Sequence, residues 1–411
     1  MLKLPFKDIS FSDDVFTELY GEKSEFQRQR YQNAFTEFKK LFNVNETYIC
    51  SSSGRVELLG NHTDHNGGRV MSCAISLDTL AFFLPNSMKT INVFSEGYGK
   101  ISVDLDDLSV SDKGTTKALI KGVAQGLIDL GYKVGGFNAY VTSTVLNGAG
   151  ISSSAAFEVL ICEIFNFLFN NGEISIEQKV KTAHFAENVY FGKPCGLLDQ
   201  SAIAYGGLKK LDFANKDKIK VENVDGNLDD YTLILINTGG SHENLTDEYA
   251  AIPAEMKTVA KAFGKERLIE VNENEFYNAD VLKKLSDRAI SRAIHFFEEN
   301  KRVDRAATAL NNRDHADFLS CVKESGISSL CKLQNCYVAG STDQSVPKAL
   351  FLSEKYLNGG VNRVHGGGFA GTILNIVKND NADFFVENAS RLFGKNNIIR
   401  LKVRKKGTIV I

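Results

Sequence analysis

The sequence predicts an α+β protein of two domains, and three observations carry that expectation. At 411 residues the chain exceeds what a single hydrophobic core ordinarily organises. Segments of helical and of strand periodicity are mixed without a strict strand–helix–strand alternation, which argues against a doubly wound parallel sheet. Beyond residue 210 the texture changes, around Gly206-Gly207 and Asp225-Gly226-Asn227, so the division expected is 1–210 and 211–411.

The elements follow in order. Phe26, Tyr31, Phe35, Phe38 and Leu41 recur three to five residues apart, the spacing of an amphipathic helix over residues 26–42. Residues 136–146 alternate toward a strand, with Phe137, Tyr140, Val141 and Val145 as β-formers. That strand runs into Asn147-Gly148-Ala149-Gly150 and then into a strongly apolar helical segment over residues 153–169. A further helix over 176–190 stops at Gly192-Lys193-Pro194. Later segments read as a buried strand at 231–237, helices at 254–263, 289–299 and 349–357, and strands at 372–377 and 398–411. No internal repeat or low-complexity tract interrupts them.

Composition excludes several classes of function. A formal net charge of −2 gives no general attraction to nucleic acid or to an anionic membrane, so phosphate recognition has to be local. The first residues, Met1 to Lys7, contain no long apolar region of the kind a signal peptide needs, and no run approaches the roughly 18 apolar residues of a membrane span. Seven scattered cysteines suit reduced, mostly buried thiols better than a disulfide framework. A soluble cytoplasmic protein without nucleic-acid or membrane partners is expected.

Residues 54–68 are the most informative stretch. Arg55, Asn61, His62, Asp64, His65 and Asn66 are set among glycines that permit tight turns. Such a cluster offers short, directional donors and acceptors together. A polyhydroxylated ligand demands them, because each buried hydroxyl left unpaired costs about 1–3 kcal/mol. A metal site at His62, Asp64 and His65 is the weaker reading, since no partner pattern such as His-Glu-x-x-His supports it. His184, His242, His295 and His315 have no chemical context and are assigned structural roles.

The second signal is residues 147–156, from Asn147 through Gly148, Ala149, Gly150, Ile151, Ser152, Ser153 and Ser154 to Ala156. Small residues let backbone N–H groups approach an anion, and the following helix start adds free donors and a positive dipole end. Serine hydroxyls there can cap the helix, touch phosphate oxygens or ligate a hard cation. This is not a P-loop, because Gly-x-x-x-x-Gly-Lys-Ser/Thr is absent from the chain. Residues 366–371 match Gly-x-Gly-x-x-Gly formally, but only 40 residues follow Gly371, too few for most of a dinucleotide domain.

Two carboxylates complete the set. Glu187 on the helix at 176–190 could hold Mg²⁺ beside a phosphate. Asp199, preceded by Leu197-Leu198, projects from a mostly buried segment; taken alone it reads better as a structural salt bridge, and otherwise could accept a proton from a hydroxyl nucleophile.

Together these segments resemble the GHMP kinases, and within them the galactokinases. Residues 54–66 resemble the sugar signature Gly-Arg-Val-Asn-Leu-Ile-Gly-Glu-His-Thr-Asp-Tyr-Asn, and 148–156 resemble the phosphate loop Gly-x-Gly-Leu-Ser-Ser-Ser-Ala. Residues 363–371 are similar to the third motif, Arg-Met-Thr-Gly-Ala-Gly-Phe-Gly-Gly. Ala186-Glu187-Asn188 and residues 194–200 follow the same pattern, so the resemblance spans about residues 30 to 380. It implies a two-domain fold: an N-terminal domain with a left-handed β-α-β crossover, a ferredoxin-like C-terminal domain, and an active site in the cleft between them. The implied reaction is ATP-dependent phosphorylation of the anomeric hydroxyl of α-D-galactose by a monomer.

By the same resemblance Asp199 is the catalytic base and Arg55 stabilises charge near the transferred phosphoryl group. Ser154 or Ser153, with Glu187, holds Mg²⁺. The backbone of residues 147–153 cradles the ATP phosphates, with Gly366, Gly367 and Gly368 supporting from the other domain. Asn61, His62, Asp64 and Tyr249 bind the sugar. A guanidinium beside Asp199 is expected to hold its carboxyl ionised.

Among the positions that depart from the family pattern are Asn61 where Glu is usual, His65 for Tyr, His365 for Thr and Leu146 for Pro. The usual Glu helps recognise the hydroxymethyl end of the sugar, so Asn61 bears on which sugar is taken. A kinase for N-acetylgalactosamine, arabinose or a uronic acid is the nearest alternative, and a non-catalytic galactose-binding regulator is the more distant one.

Overall fold

The aromatic residues near the N-terminus form two helices, α1 (Asp13–Tyr20) and α2 (Glu25–Phe42). Ser24 starts α2 by accepting from the Gln27 backbone N–H, and Phe16, Tyr31, Phe35 and Phe38 are buried. In this computed structural model the described residues are 4–8, 11, 13–21, 24–145, 150–216, 218–240 and 245–411. Residues 146–149 and 241–244 lie outside them, and with them Leu146, Asn147, Gly148, Ala149 and His242.

Two long antiparallel strands, β1 (Tyr48–Leu59) and β2 (Arg69–Pro85), dominate the first sheet. The polar signature is therefore only partly a turn. Its first half is the end of β1, and residues 60–68 form the connection to β2 with a 3₁₀ segment at Asp64–Asn66. Next come β3 (Thr90–Ser95), β4 (Gly99–Asp104), α3 (Thr116–Asp129) and β5 (Phe137–Ser143). β3 and β5 are parallel neighbours, with α3 in the connection between them. Then come α4 (Ser153–Phe169) and α5 (Ile176–Phe185), which runs into a π turn at Ala186–Phe191 and is followed by α6 (Leu198–Tyr205). β6 (Leu208–Asp212) pairs with β2 and β7 (Lys220–Asn223) with β6, so the expected division at 210 falls inside β6.

The second sheet opens with β8 (Tyr231–Asn237). Five helices follow: α7 (Thr246–Ala262), α8 (Glu273–Asn278), α9 (Asp287–Asn311), α10 (His315–Ser328) and α11 (Ser345–Glu354). The chain closes with β9 (Val361–Val364), β10 (Thr372–Lys378), α12 (Ala382–Phe393), β11 (Ile398–Leu401) and β12 (Ile409–Val410). The antiparallel order β11-β8-β10-β9 is that of a split β-α-β-β-α-β unit.

One expectation needs correction. Residues 398–411 are not a single strand: β11 belongs to the second sheet, whereas β12 pairs with β1 in the first. The chain crosses between sheets at Arg404, whose buried guanidinium donates to Ser51 O and Gly407 O, and at Gly407, where a Cβ would lie 2.2 Å from Ala204 O. Helices α7 and α9 are also longer than expected, α7 at its N-terminal end and α9 mainly at its C-terminal end.

A contiguous core joins the sheets. Val56 and Leu58 of β1 belong to it along with Leu235 and Leu374 of the second sheet. Strand alternation then sends Arg55 and Glu57 to the opposite face of β1, toward the cleft. All seven cysteines are free thiols. Among the described residues no helix is long and apolar enough to cross a membrane.

Candidate active site

Arg55 and Asp199 meet where β1 passes the start of α6. Leu198, buried in the core, anchors that helix start, and Asp199 points outward with a side chain 24 % exposed. Arg55 Nε donates to Asp199 Oδ1 at 2.8 Å, and Nη2 approaches the same oxygen at 2.7 Å. The Ser152 hydroxyl donates to Asp199 Oδ2, and Arg55 Nη1 donates to Gly150 O. Burial by itself would raise the Asp199 carboxyl. The Arg55 guanidinium, the Ser152 hydroxyl and Lys193 outweigh it, and the net displacement is below the usual carboxylate range. The expected ionised aspartate is the outcome.

Ser152 owes its aim to an unusual backbone. It precedes α4 with φ 62° and ψ 58°, a left-handed conformation that a non-glycine residue holds only when its surroundings enforce it, at a cost of about 1–3 kcal/mol. Its side chain makes no capping bond to α4 and serves Asp199 instead. The first N–H groups of α4 are left at the positive end of a 17-residue helix, beside Arg55.

Within the first turn of α4, Ser154 Oγ donates to Glu187 Oε1 at 2.8 Å. Glu187 is only 1 % exposed and sits in the π turn, which widens the helix locally. Its Oε2 accepts from Gln200 Nε2 at 2.8 Å and Cys195 Sγ at 3.2 Å, and Lys193 Nζ lies 3.0 Å from Oε1. A hydroxyl and a carboxylate oxygen at a helix start are hard donors of the kind Mg²⁺ takes when phosphates and water complete its shell, so these residues fit that ion. Among the described residues no group of three His, Cys, Asp or Glu side chains is arranged to hold a metal. Behind Glu187 lies a second buried carboxyl, Glu158, whose Oε2 accepts from Gln200 Nε2 at 3.2 Å. Burial, and then the Glu187 charge, push Glu158 well above the usual range.

The signature residues converge on the glycine loop at 366–368. His62 Nε2 is 2.9 Å from Gly367 O, and because a carbonyl only accepts, that nitrogen carries the proton. Burial and the neighbouring His65 push the His62 imidazole down to about 3, so it is neutral. Tyr249 on α7 donates its hydroxyl to Gly368 O at 2.9 Å and packs edge-on against Phe369. A Cβ at Gly367 would lie 2.6 Å from the Tyr249 ring, so only glycine lets the loop approach this closely. Asp64 reaches Gly196, three residues before Asp199, so near that a Cβ there would lie 1.9 Å from Asp64 Oδ2.

Asn61 meets the same glycine loop one residue earlier. It is 1 % exposed, donates to Glu57 Oε1 at 2.9 Å and Gly366 O at 2.8 Å, and accepts from Asn335 Nδ2 at 2.7 Å. Both amide donors are engaged within the protein. His295 is structural as expected, with ring nitrogens on Asn61 O and Ser328 Oγ. His365 is buried and accepts from the Glu57 N–H through Nε2, so its other nitrogen donates to Thr372 Oγ1 at 3.1 Å.

The structure thus gathers Arg55, Gly150, Ile151, Ser152, Ser154, Glu187 and Asp199 at one end of the cleft, with Ser153 opening α4 among them. His62 and Tyr249 meet the glycine loop at Gly367 and Gly368, and Asp64 reaches Gly196. Sequence reasoning passed over Glu57, Glu158, Lys193, Gln200 and Asn335. Gln200 and Lys193 flank motif residues and were legible as polar neighbours. Asn335 carried no signal.

Comparison with known proteins bears on the family and the fold. Residues 36–85 match the galactokinase galactose-binding signature, and residues 118–207 match the GHMP kinase N-terminal domain. The chain is 31 % identical over 367 residues to a galactokinase of Clostridium tetani, covering 87 % of this chain and 91 % of that one. It is 30 % identical over 359 residues to a galactokinase of Clostridium acetobutylicum, covering 85 % and 90 %. In fold it is similar to Lactococcus lactis galactokinase complexed with galactose, with a TM-score of 0.81 at 24 % identity over 93 % of this chain and 100 % of that one. A mevalonate kinase aligns with a TM-score of 0.62 at 15 % identity, over 86 % and 98 %.

Proposed function

The chain belongs to the galactokinase family of the GHMP kinases, and on that premise we propose that it transfers the γ-phosphoryl group of ATP to the anomeric hydroxyl of α-D-galactose. The observation that carries this reading is the Arg55–Asp199–Ser152 cluster set at the open start of α4. It puts an ionised carboxylate, a guanidinium and a helix dipole within one small volume.

In this mechanism the N–H groups of residues 147–153 and the start of α4 receive the ATP phosphates, and Gly367 closes the site from the second domain. Asp199 accepts a hydrogen bond from the anomeric hydroxyl and takes its proton as the phosphoryl group arrives. Its lowered pKa makes it a weak base, so much of the acceleration comes from orientation and fixed charge. Arg55 keeps Asp199 anionic and faces the developing negative charge. Ser154 and Glu187 would hold Mg²⁺, which when bound would supply charge that neutralises the phosphates. His62, Asp64 and Tyr249 bind sugar hydroxyls, while Asn61 acts through the glycine loop. The protein works as a monomer in the cytoplasm, and its seven free thiols suit a reducing compartment.

The test is ATP consumption with galactose, N-acetylgalactosamine, glucose, arabinose and galacturonate. Turnover with galactose alone is expected. Turnover confined to another sugar would move the specificity, and galactose binding without turnover would replace the enzyme by a regulator.

A further inference from the structure

The sugar signature quoted above carries Asn at the position of residue 57 and Glu at that of residue 61. Here the two are exchanged, Glu57 and Asn61, and their side chains are directly bonded: Asn61 Nδ2 donates to Glu57 Oε1 at 2.9 Å. The pair bridges the domains. Arg363 of β9, fully buried, approaches Glu57 Oε1 at 3.4 Å through Nη2 and donates to Leu58 O at 2.7 Å through Nη1. A buried guanidinium is costly without a carboxylate, and Glu57 is the one it meets. From Asn61 the bonds continue to Gly366 O and Asn335, the start and the support of the glycine loop. The next two carbonyls of that loop receive His62 and Tyr249.

We propose that Glu57 and Asn61 are a reciprocally exchanged carboxylate–amide pair that positions the glycine loop, and through it the sugar-facing His62 and Tyr249. The inference rests on the kinase reading above. Each single reversal breaks the pair in its own way. Asn61→Glu sets two carboxylates against each other and one against Gly366 O, acceptor facing acceptor. Glu57→Asn takes the carboxylate from Arg363. Making both changes restores one carboxylate, one amide and the bond between them.

The experiment is a double-mutant cycle of Glu57→Asn and Asn61→Glu in the full chain, read as sugar KM, ATP KM, kcat and melting temperature. Each single change is expected to raise sugar KM about tenfold or more, with a smaller rise in ATP KM transmitted through Gly367 and kcat within about threefold. The double variant should return to within about threefold of the parent in sugar KM and recover most of the lost melting temperature. If a single variant does not fold, Glu57→Gln, Asn61→Asp and their combination replace it at constant side-chain size. A double variant as impaired in sugar KM as the worse single one, or single variants with parental KM, overturns the proposal. The parent's own turnover separates this from failure of the kinase reading. If the parent phosphorylates no sugar, the cycle is read as galactose affinity and melting temperature, where absence of recovery overturns it equally.

Discussion

Arg55 places two of its nitrogens, Nε at 2.8 Å and Nη2 at 2.7 Å, on a single oxygen of Asp199. The second oxygen is left to the Ser152 hydroxyl. The carboxylate therefore cannot rotate without losing a charge-assisted bond, and its negative charge is fixed in direction as well as in protonation state. Four predictions follow from this and neighbouring geometry.

Asp199→Asn keeps the side-chain shape but removes the charge and one acceptor. Turnover is expected to fall at least about 100-fold with little change in ADP affinity. In the parent, the lowered Asp199 pKa keeps it ionised across the neutral range, so no acid limb attributable to it should appear above about pH 4. Steady-state kinetics between pH 5 and 9 read both statements. Near-parental turnover in the variant would remove Asp199 from the mechanism.

Gly196→Ala should damage sugar binding selectively. The added Cβ would lie 1.9 Å from Asp64 Oδ2, a distance no carbon–oxygen contact tolerates, so Asp64 or the segment before Asp199 has to move. A misplacement of about 1 Å near reacting groups costs on the order of 100-fold in kcat/KM. Calorimetric titration with galactose and with ADP separates the two sites, and unchanged galactose affinity would refute the assignment of Asp64.

Two buried carboxyls near α4 are expected to respond oppositely to the same change. Glu187→Gln removes the charge beside Ser154 and should raise the Mg²⁺ concentration needed for half-maximal rate about 10- to 100-fold. Burial and the Glu187 charge push the Glu158 carboxyl well above the usual carboxylate range, favouring the uncharged form that Gln imitates. Activity of Glu158→Gln should stay within about threefold of the parent. Equal damage from both substitutions would contradict the distinction.

Asp78 predicts stability. Buried on β2, it accepts from Arg30 Nη1 at 2.6 Å and Tyr20 at 2.8 Å, and also from Ser51, linking α1, α2 and β1. Asp78→Ala strands Arg30 and should destabilise the protein by about 3–5 kcal/mol in chemical denaturation. Burial raises the Asp78 carboxyl, but Arg30 and Arg404 lower it further, so its folded pKa lies below the unfolded value. Its contribution is therefore fully present at neutral pH and is lost as pH falls below about 4 through the folded pKa. The difference between parent and variant should shrink in that acid range, and a constant difference down to pH 3 would count against the pair.

Chemistry was more legible in this chain than architecture. Residues 153–169 and 231–237 coincide with α4 and β8, because their apolar runs are long and cleanly bounded. The end of the helix predicted over 176–190 was less visible: after Phe185 it widens into the π turn that presents Glu187, and periodicity carries no mark of that change. The end of β1 was hidden because Arg55 and Glu57, the signature's polar residues on it, face a cleft, so the strand looks like a loop. Asn61 illustrates the deeper limit. Its residue type suggests a ligand contact, but its partners Gly366 and Asn335 come from the other end of the chain.

β12 adds a kinetic meaning to the crossing at Arg404. The first sheet takes in its edge strand from residues 409–410, paired with Cys50 and Ser51, and only after the whole second sheet has been threaded between them. Closing so long a loop carries an entropic cost, and without this pairing β1 keeps an unpaired backbone edge. The two halves are thus tied through one strand pair. A fragment ending near residue 210 would expose a sticky strand edge, and the order in which the parts assemble is set by topology rather than by position along the chain.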